Sequence, residues 1–382
     1  VVTGAYPYAD SSEQWIRGTH EQPFEVDAYN PATPTVAIRL AADQATVTFD
    51  EAWSPHVQAS VTCAIPDAAT LAALDPRLGI RVRVRAGYVW PSGTRELQQL
   101  VDLGLRKVTL RQPDSTMVLD LASDEALVQD YGHELNPNQP TLPHTPPDAI
   151  ALRLPDTGVA TSLISTVSGG TPLLAWIAED GWWSTFVDWA DRVGAWLRDR
   201  GDRTWLLSPR PVLASTPDHT LTRGERGTVI GSDVDLSREA DRWANVVEVR
   251  YAWNDGTDHL VVGRAWINGG PYQGWSTSID PAGQLTGVPL QVYTENRSVP
   301  TTQAQADDVA EAILQRLIAR SRGVSVEAIA AWWLRPGHTV ALALRDIAPR
   351  YDLVARIDFH LPAGTMTVRT RSPFEAPTTT GG

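Results

Sequence analysis

The sequence predicts a mainly β protein with α+β insertions, on three observations. The first 120 residues are a succession of short runs in which apolar residues alternate, with close turn signals between them. The last third is strand-rich again. The segment between, roughly 150–215, changes to helical spacing and gathers tryptophans. At 382 residues the chain has room for two or three domains. Many short strands with tight turns favour a barrel or sandwich over a parallel α/β sheet. The expected units are a β unit at 1–122, completed by part of 205–240, an α+β insertion at 123–215, and a second β unit at 216–382. The insertion contains a Pro-rich linker at 136–148, and the second β unit carries an amphipathic helix at 302–322.

In the first unit, TVAIRLAADQATVTFDE reads as a hairpin about Ala42, Asp43 and Gln44. HVQASVTCAI alternates, with Val57, Ala59, Val61, Cys63 and Ile65 on one parity. PDAATLAALDPRLG is a short helix capped by Asp67 and closed by Pro76 and Gly79. In IRVRVRAGYVW, Ile80, Val82 and Val84 face one way, and Arg81, Arg83 and Arg85 the other. LGLRKVTLR and TMVLDLAS add two strands, and a short helix capped by Ser123 follows. Five prolines between Asn136 and Asp148 exclude a ladder there.

In the middle unit, STFVDWADRVGAWLRDRG predicts one amphipathic helix. Its apolar stripe is Phe186, Trp189, Ala190, Val193, Trp196 and Leu197, Gly201 stops it, and Asp188, Asp191 and Asp199 lie on a solvated face. RTWLLSP follows as a strand. In READRWANVVEVRYAWNDGTD, Val246 to Trp253 predicts a strand entering the second β unit, with Val247, Val249, Tyr251 and Trp253 on its buried parity. The turn at Asn254–Thr257 gives Gly256 positive φ, and HLVVGRAWI returns. The charges at Arg238, Glu239, Asp241 and Arg242 suit strand entry or a subunit seam. In the last helix, Ala306, Val309, Ala310, Ile313, Leu314, Leu317 and Ile318 form the stripe. Thr302 and Gln305 make a capping box, acids precede bases along the axis, and Gly323 ends it. HTVALAL, YDLVARIDFHL and GTMTVRTRSP read as closing strands.

A net charge of −13 argues against a surface that grips phosphate backbones, though not against a channel that lets DNA pass. Lys107 is the only lysine among 32 basic residues, which GC-rich codon usage explains. One cysteine, Cys63, excludes an intrachain disulfide framework and reads as a small core residue. No apolar run reaches the ~18 residues of a membrane span. The first residues lack the layout of a signal peptide, so synthesis in the cytoplasm is expected.

Motifs with intrinsic chemistry are missing: the His-Glu-x-x-His spacing fails because position 137 is proline, and VSGGTP lacks the lysine of a phosphate loop. No metal or cofactor is expected, and the eight histidines are scattered. Carboxylate pairs that a glycosidase would need occur at Glu179–Asp180 and Asp233–Asp235, a number that 45 acids produce by chance. The tryptophans Trp176, Trp182, Trp183, Trp189, Trp196 and Trp205 crowd the middle unit. Of these, Trp182 and Trp183, just ahead of the helix, are the candidates for glycan or protein contact.

WSPHVQASVTCAIPD, LDPRLGIRVRV, LDLASDEALVQDYG, READRWANVVEVRYAW, TQAQADDVAEAILQRL and WWLRPGHTVAL, in that order, resemble the tail-hub (baseplate-hub-like) minor tail proteins of long-tailed phages of actinobacteria. The resemblance runs from about Trp53 to Leu344, and His338 stands where an Asp would be expected in a Pro-Gly-Asp turn. It implies two similar β-barrel domains with a smaller mixed domain and a homotrimeric ring of pseudo-sixfold symmetry. The implied role is non-enzymatic: a hub at the virion tail tip, joining the tail tube to a central spike or fibre. The implied partners are the distal tail protein, the end of the tape-measure protein, and genomic DNA in transit. Against it stand two other expectations, a module binding host cell-wall glycans and a cell-wall hydrolase.

Overall fold

The computed structural model describes residues 22–90, 93–112, 114–131, 144–159, 162–173, 181–223, 227–236, 243–269, 273–274, 288–320, 322–344, 349–371 and 378–381. The early strands are β1 (Phe24–Tyr29), β2 (Ala37–Leu40), β3 (Ala42–Asp50), β4 (Val57–Ala64), β5 (Arg81–Val89), β6 (Arg95–Arg111) and β7 (Thr116–Ala122), with helix α1 (Ala68–Ala73) between β4 and β5. The middle holds α2 (Glu125–Asp130), α3 (Pro146–Arg153), β8 (Ser162–Ser165), α4 (Trp182–Asp191), β9 (Ala195–Asp199) and β10 (Thr204–Pro209). Then come β11 (His219–Thr222), β12 (Val229–Leu236), β13 (Val246–Asn254), β14 (Asp258–Ile267), β15 (Val292–Arg297) and α5 (Gln303–Arg320). The closing strands are β16 (Arg322–Ile329), β17 (Thr339–Ala343), β18 (Arg350–Leu361), β19 (Thr365–Arg371) and β20 (Thr378–Gly381).

The protein is mainly β, with short helices. Both ends of the chain build one sheet. An early block runs β2-β1-β5-β6-β7-β4-β3, and a late block runs β18-β19-β16-β12, with β17 and β11 branching from β18. A single antiparallel seam joins the blocks, Ala45–Asp50 of β3 against Arg356–Leu361 of β18. Among the described residues the path stays open at β2 and β12 and does not close into a barrel. One hydrophobic core lies under both blocks, from Val26 and Phe49 to Phe359 and Val368. A second core is confined to residues 128–207 and a third to 244–318.

Local expectations hold where a cap or an alternation specified them. Asp67 accepts from Thr70 N at 2.9 Å and caps α1. Val57, Ala59, Val61 and Cys63 point into the core, and burial pushes the Cys63 thiol up to about 11, out of nucleophilic range. The box at the start of α5 forms: Gln305 N donates to Thr302 Oγ1 at 3.3 Å, and Gln305 Oε1 accepts from Thr302 N at 3.1 Å. All seven stripe residues of α5 are buried against β13 and β14. The approach is close enough that a Cβ on Gly263 would stand 2.1 Å from the carbonyl oxygen of Ala306.

Other expectations fail for identifiable reasons. Residues 37–50 are not a hairpin. β2 pairs with β1, while β3 pairs with β4 and β18, because the single residue Ala41 between them offers no turn. The predicted helix over 184–201 is α4 followed by strand β9. Gly194, at φ +62°, reverses the chain after α4, so Trp196 and Leu197 are strand residues. α2 takes Asp124, not Ser123, at its N-cap. Pro146 and Pro147, counted in the linker, open α3, where a missing N–H does no harm. Gly323 lies within β16 instead of ending α5. The Val246–Trp253 strand makes its hairpin with the return strand, and Val247, Val249 and Tyr251 are buried as expected. It enters no barrel, however. β13 belongs to a separate sheet, β15-β13-β14-β20, that packs on α5. Arg238, Glu239, Asp241 and Arg242 lie outside the described residues.

Candidate functional site

A cavity of about 260 Å³ lies where the second and third cores meet the loop between β3 and β4. The β3–β4 loop contributes Glu51, Trp53 and His56. The helix α4 contributes Trp183 and Asp191, β9 contributes Trp196, β15 contributes Glu295 and Arg297, and α5 contributes Arg316.

The floor is a buried ion-pair network. Asp188 and Asp191 sit at the end of α4, whose Phe186, Trp189 and Ala190 are buried in the second core. Asp188 accepts from Arg192 Nε at 2.7 Å, Arg297 Nη1 at 2.6 Å and the Tyr251 hydroxyl at 2.8 Å. Asp191 meets Arg210 at 2.6 Å, Arg297 at 3.2 Å and Arg316 at 3.4 Å. Burial opposes the charge of Asp191, but the guanidinium groups outweigh it and hold its carboxyl down at about 2. The solvated face expected for Asp188, Asp191 and Asp199 is therefore wrong. All three are buried, because the segment bends at Gly194 and its polar residues turn toward the neighbouring units.

A second network ties the middle unit to the early sheet. Trp196 Nε1 donates to His56 Nε2 at 2.6 Å, and His56 Nδ1 lies 2.8 Å from Glu125 Oε2. With the indole donating to Nε2, the imidazole carries its proton on Nδ1 and donates it to Glu125. Glu125 also accepts from the backbone N–H groups of His56 and Asp199. Asp199 accepts from the N–H groups of Asp124 and Gly201. Burial, then the nearby carboxylates of Asp124 and Glu125, push it up to about 8. Asp124 continues to Arg81 at 2.5 Å, and Arg81 to Asp102 at 2.8 Å. The arginine face of β5 is thus an ion-pair ladder, not a solvent face. Arg85 and Arg39 complete it on Glu25 and Asp27.

These arrangements hold units together. Asp191 stays ionised as a counter-ion and has no proton to give. Asp199, which keeps a proton to higher pH, lies off the cavity with both oxygens accepting backbone N–H groups. Of the tryptophan candidates, Trp182 is core, 3% exposed and packed on Phe186 and Trp189, because it opens α4 on its inner face. Trp183 lies on the cavity wall, edge-on to His56. Glu179, Asp180, Trp176, His133 and Glu134 lie outside the described residues, as do the side chains of Asp233 and Asp235. The arginine network had no sequence signal, since Arg297 and Arg316 are 106 and 125 positions from Asp191. Only the Asp188–Arg192 pair, four apart on one helix, was open to inspection.

No family model matches the chain, and no curated protein does. Solved structures do match. A tail protein from Neisseria meningitidis MC58 aligns at TM-score 0.60 and 13% identity, over 91% of this chain and 96% of that one. The 43 kDa tail protein of prophage MuSo2 from Shewanella oneidensis aligns at TM-score 0.59 and 12% identity, over 92% and 97%. The chain has the fold of these tail proteins.

Proposed function

We propose that the chain is a structural hub of a phage tail tip, whose copies form a ring joining the tail tube to a central spike or fibre. The observation that carries this is the end-to-end match with tail proteins, over 91–92% of this chain and 96–97% of theirs. The early and late blocks of the sheet, seven strands and six meeting at one seam, are the counterparts of the two barrels. Three copies then offer six such blocks around an axis, and a homotrimer is the assembly that presents sixfold and threefold faces at once. Within each copy, the division is into 1–122, 123–215 and 216–382. Its middle member is supported by the core confined to 128–207.

In this reading the protein catalyses no reaction. It works in the virion at the tail tip of a siphovirus of actinobacteria, after assembly in the host cytoplasm. The partners are other copies, the distal tail protein, the tape-measure end and the spike or fibre. A net charge of −13 suits a wall past which DNA slides without adhering. Light scattering on the purified chain, with negative-stain images, tests the proposal. A trimeric mass and rings are expected, and a monomer at every concentration up to tens of micromolar overturns it. One observation keeps a glycan-binding role in view, namely Trp183 on the cavity wall with Trp53 nearby. Titration with cell-wall glycan fragments separates the two, since Trp183→Ala abolishes binding if the aromatic wall is the receptor.

A further inference from the structure

The cavity under the β3–β4 loop is walled by three separately built parts of the chain. The loop, from the early sheet, brings Glu51 and Trp53. The helix α4, from the second core, brings Trp183, and β15 and α5, packed on the third, bring Tyr293, Glu295 and Arg316. Its aromatic walls are set before any ligand arrives. Trp183 stands edge-on to His56 at 6.5 Å and lies 6.2 Å from Trp205. Trp53, 39% exposed at the mouth, is held by the Arg356 guanidinium, 4.3 Å from its ring centre.

Polar groups with spare capacity stand beside these rings. Among the described residues the Arg316 side chain has one partner, Asp191 at 3.4 Å. Arg210 Nε is buried with no hydrogen-bond partner, although Nη2 of the same group binds Asp191. The Tyr293 hydroxyl reaches Glu295 only at 3.4 Å. These groups exclude several ligand classes. A wholly apolar ligand would leave the Arg210 Nε unsatisfied. The lining carries three carboxylates, Glu51, Asp191 and Glu295, and three guanidinium groups, Arg210, Arg297 and Arg316, so neither an anion nor a cation meets a surface of opposite sign. What fits is an uncharged molecule with an apolar face for an indole and a rim of hydroxyls that both donate and accept.

We propose that this cavity receives a single uncharged pyranose ring, and that the bound ring clamps the three parts of the chain together. The volume of about 260 Å³ is below the ~300–1,000 Å³ of pockets that hold drug-sized ligands, which limits the occupant to one ring. The ring is therefore the end of a glycan and not an internal unit. Because the loop, α4 and the β15–α5 pair all touch it, binding favours the arrangement in which they stand together, and loosening any of them weakens binding equally. The inference rests on the glycan reading and is independent of the hub proposal.

The test is titration of the full chain with glucose, galactose, mannose and N-acetylglucosamine, each beside sorbitol, an open-chain polyol, and beside the corresponding β-linked disaccharides. Tryptophan emission and thermal stability are read, with amide exchange at saturation. At least one monosaccharide is expected to bind saturably, with a Kd on the order of millimolar. It raises the melting temperature and slows exchange in α4 and β15 together, while sorbitol does neither. Trp183→Ala weakens binding at least roughly tenfold, and Trp253→Phe, at a ring stacked on His259 and outside the cavity, leaves it unchanged. Should Trp183→Ala fail to fold, Trp53→Ala at the exposed mouth is expected to weaken binding several-fold. Binding of disaccharides without any monosaccharide overturns the single-ring site and leaves the glycan reading standing. No binding by any sugar, the mark of a gap filled by solvent only, removes both. Binding that survives Trp183→Ala and Trp53→Ala alike, or that protects α4 without β15, also overturns the proposal.

Discussion

At the scale of single residues, Asp191 and Asp199 are two buried carboxylates driven in opposite directions. Asp191, held at about 2 by arginines, stabilises the fold above the ordinary carboxylate pKa of 3.8, and that contribution is lost as pH falls toward 2. Asp199, raised to about 8, binds its proton more tightly when folded. Its contribution is present below 3.8 and is lost as pH rises to about 8. Urea midpoints across pH are therefore expected to show both limbs. Asp191→Asn abolishes the acid limb and costs about 3–5 kcal/mol, because three arginines lose their common anion. Asp199→Asn flattens the decline between pH 4 and 8, and an unchanged slope there counts against the raised value. Residues whose role depended on near neighbours could be assigned from the sequence: the Asp67 cap, the Thr302–Gln305 box and buried Cys63. The partners of Asp191 could not, since no local spacing encodes an ion pair closed by tertiary folding.

At the scale of elements, alternation identified strands well and their partners poorly. The parity of β13 predicted which of its side chains are buried, but nothing in it distinguished a small sheet packed on α5 from a strand of the main sheet. The failure at 184–201 is sharper. Trp189, Trp196 and Leu197 fit a helical stripe, yet Gly194 in the left-handed region makes the last two strand residues. Gly194→Ala places a Cβ at positive φ and is expected to cost about 1–2 kcal/mol, read as a lowered urea midpoint with unchanged slope. Gly263→Val, where even a Cβ meets the Ala306 carbonyl, is expected to separate α5 from β14. Early amide-exchange protection would then be lost in α5 while β4 and β7 remain protected.

At the scale of the whole molecule, the mainly β composition was legible, but the joining of the two ends was not. Both ends read as similar strand-rich stretches, and similarity suggests two closed bodies more readily than one continuous sheet. Light scattering on a chain carrying Asp191→Asn separates two levels of organisation. If the arginine network only joins units within a copy, the variant loses stability while its oligomeric mass stays the same. The seam between β3 and β18 also constrains synthesis. When Asp50 leaves the ribosome, the strand it will pair with is still some 300 codons away, since Arg356 is its partner. At ~5–20 residues per second the wait is roughly 15–60 s. During that interval β3 displays a bare row of amide donors and acceptors to any other nascent chain. A message truncated before codon 350 would leave that row permanently unmatched, and its product would be expected in the insoluble fraction, whatever the quality of the core already formed.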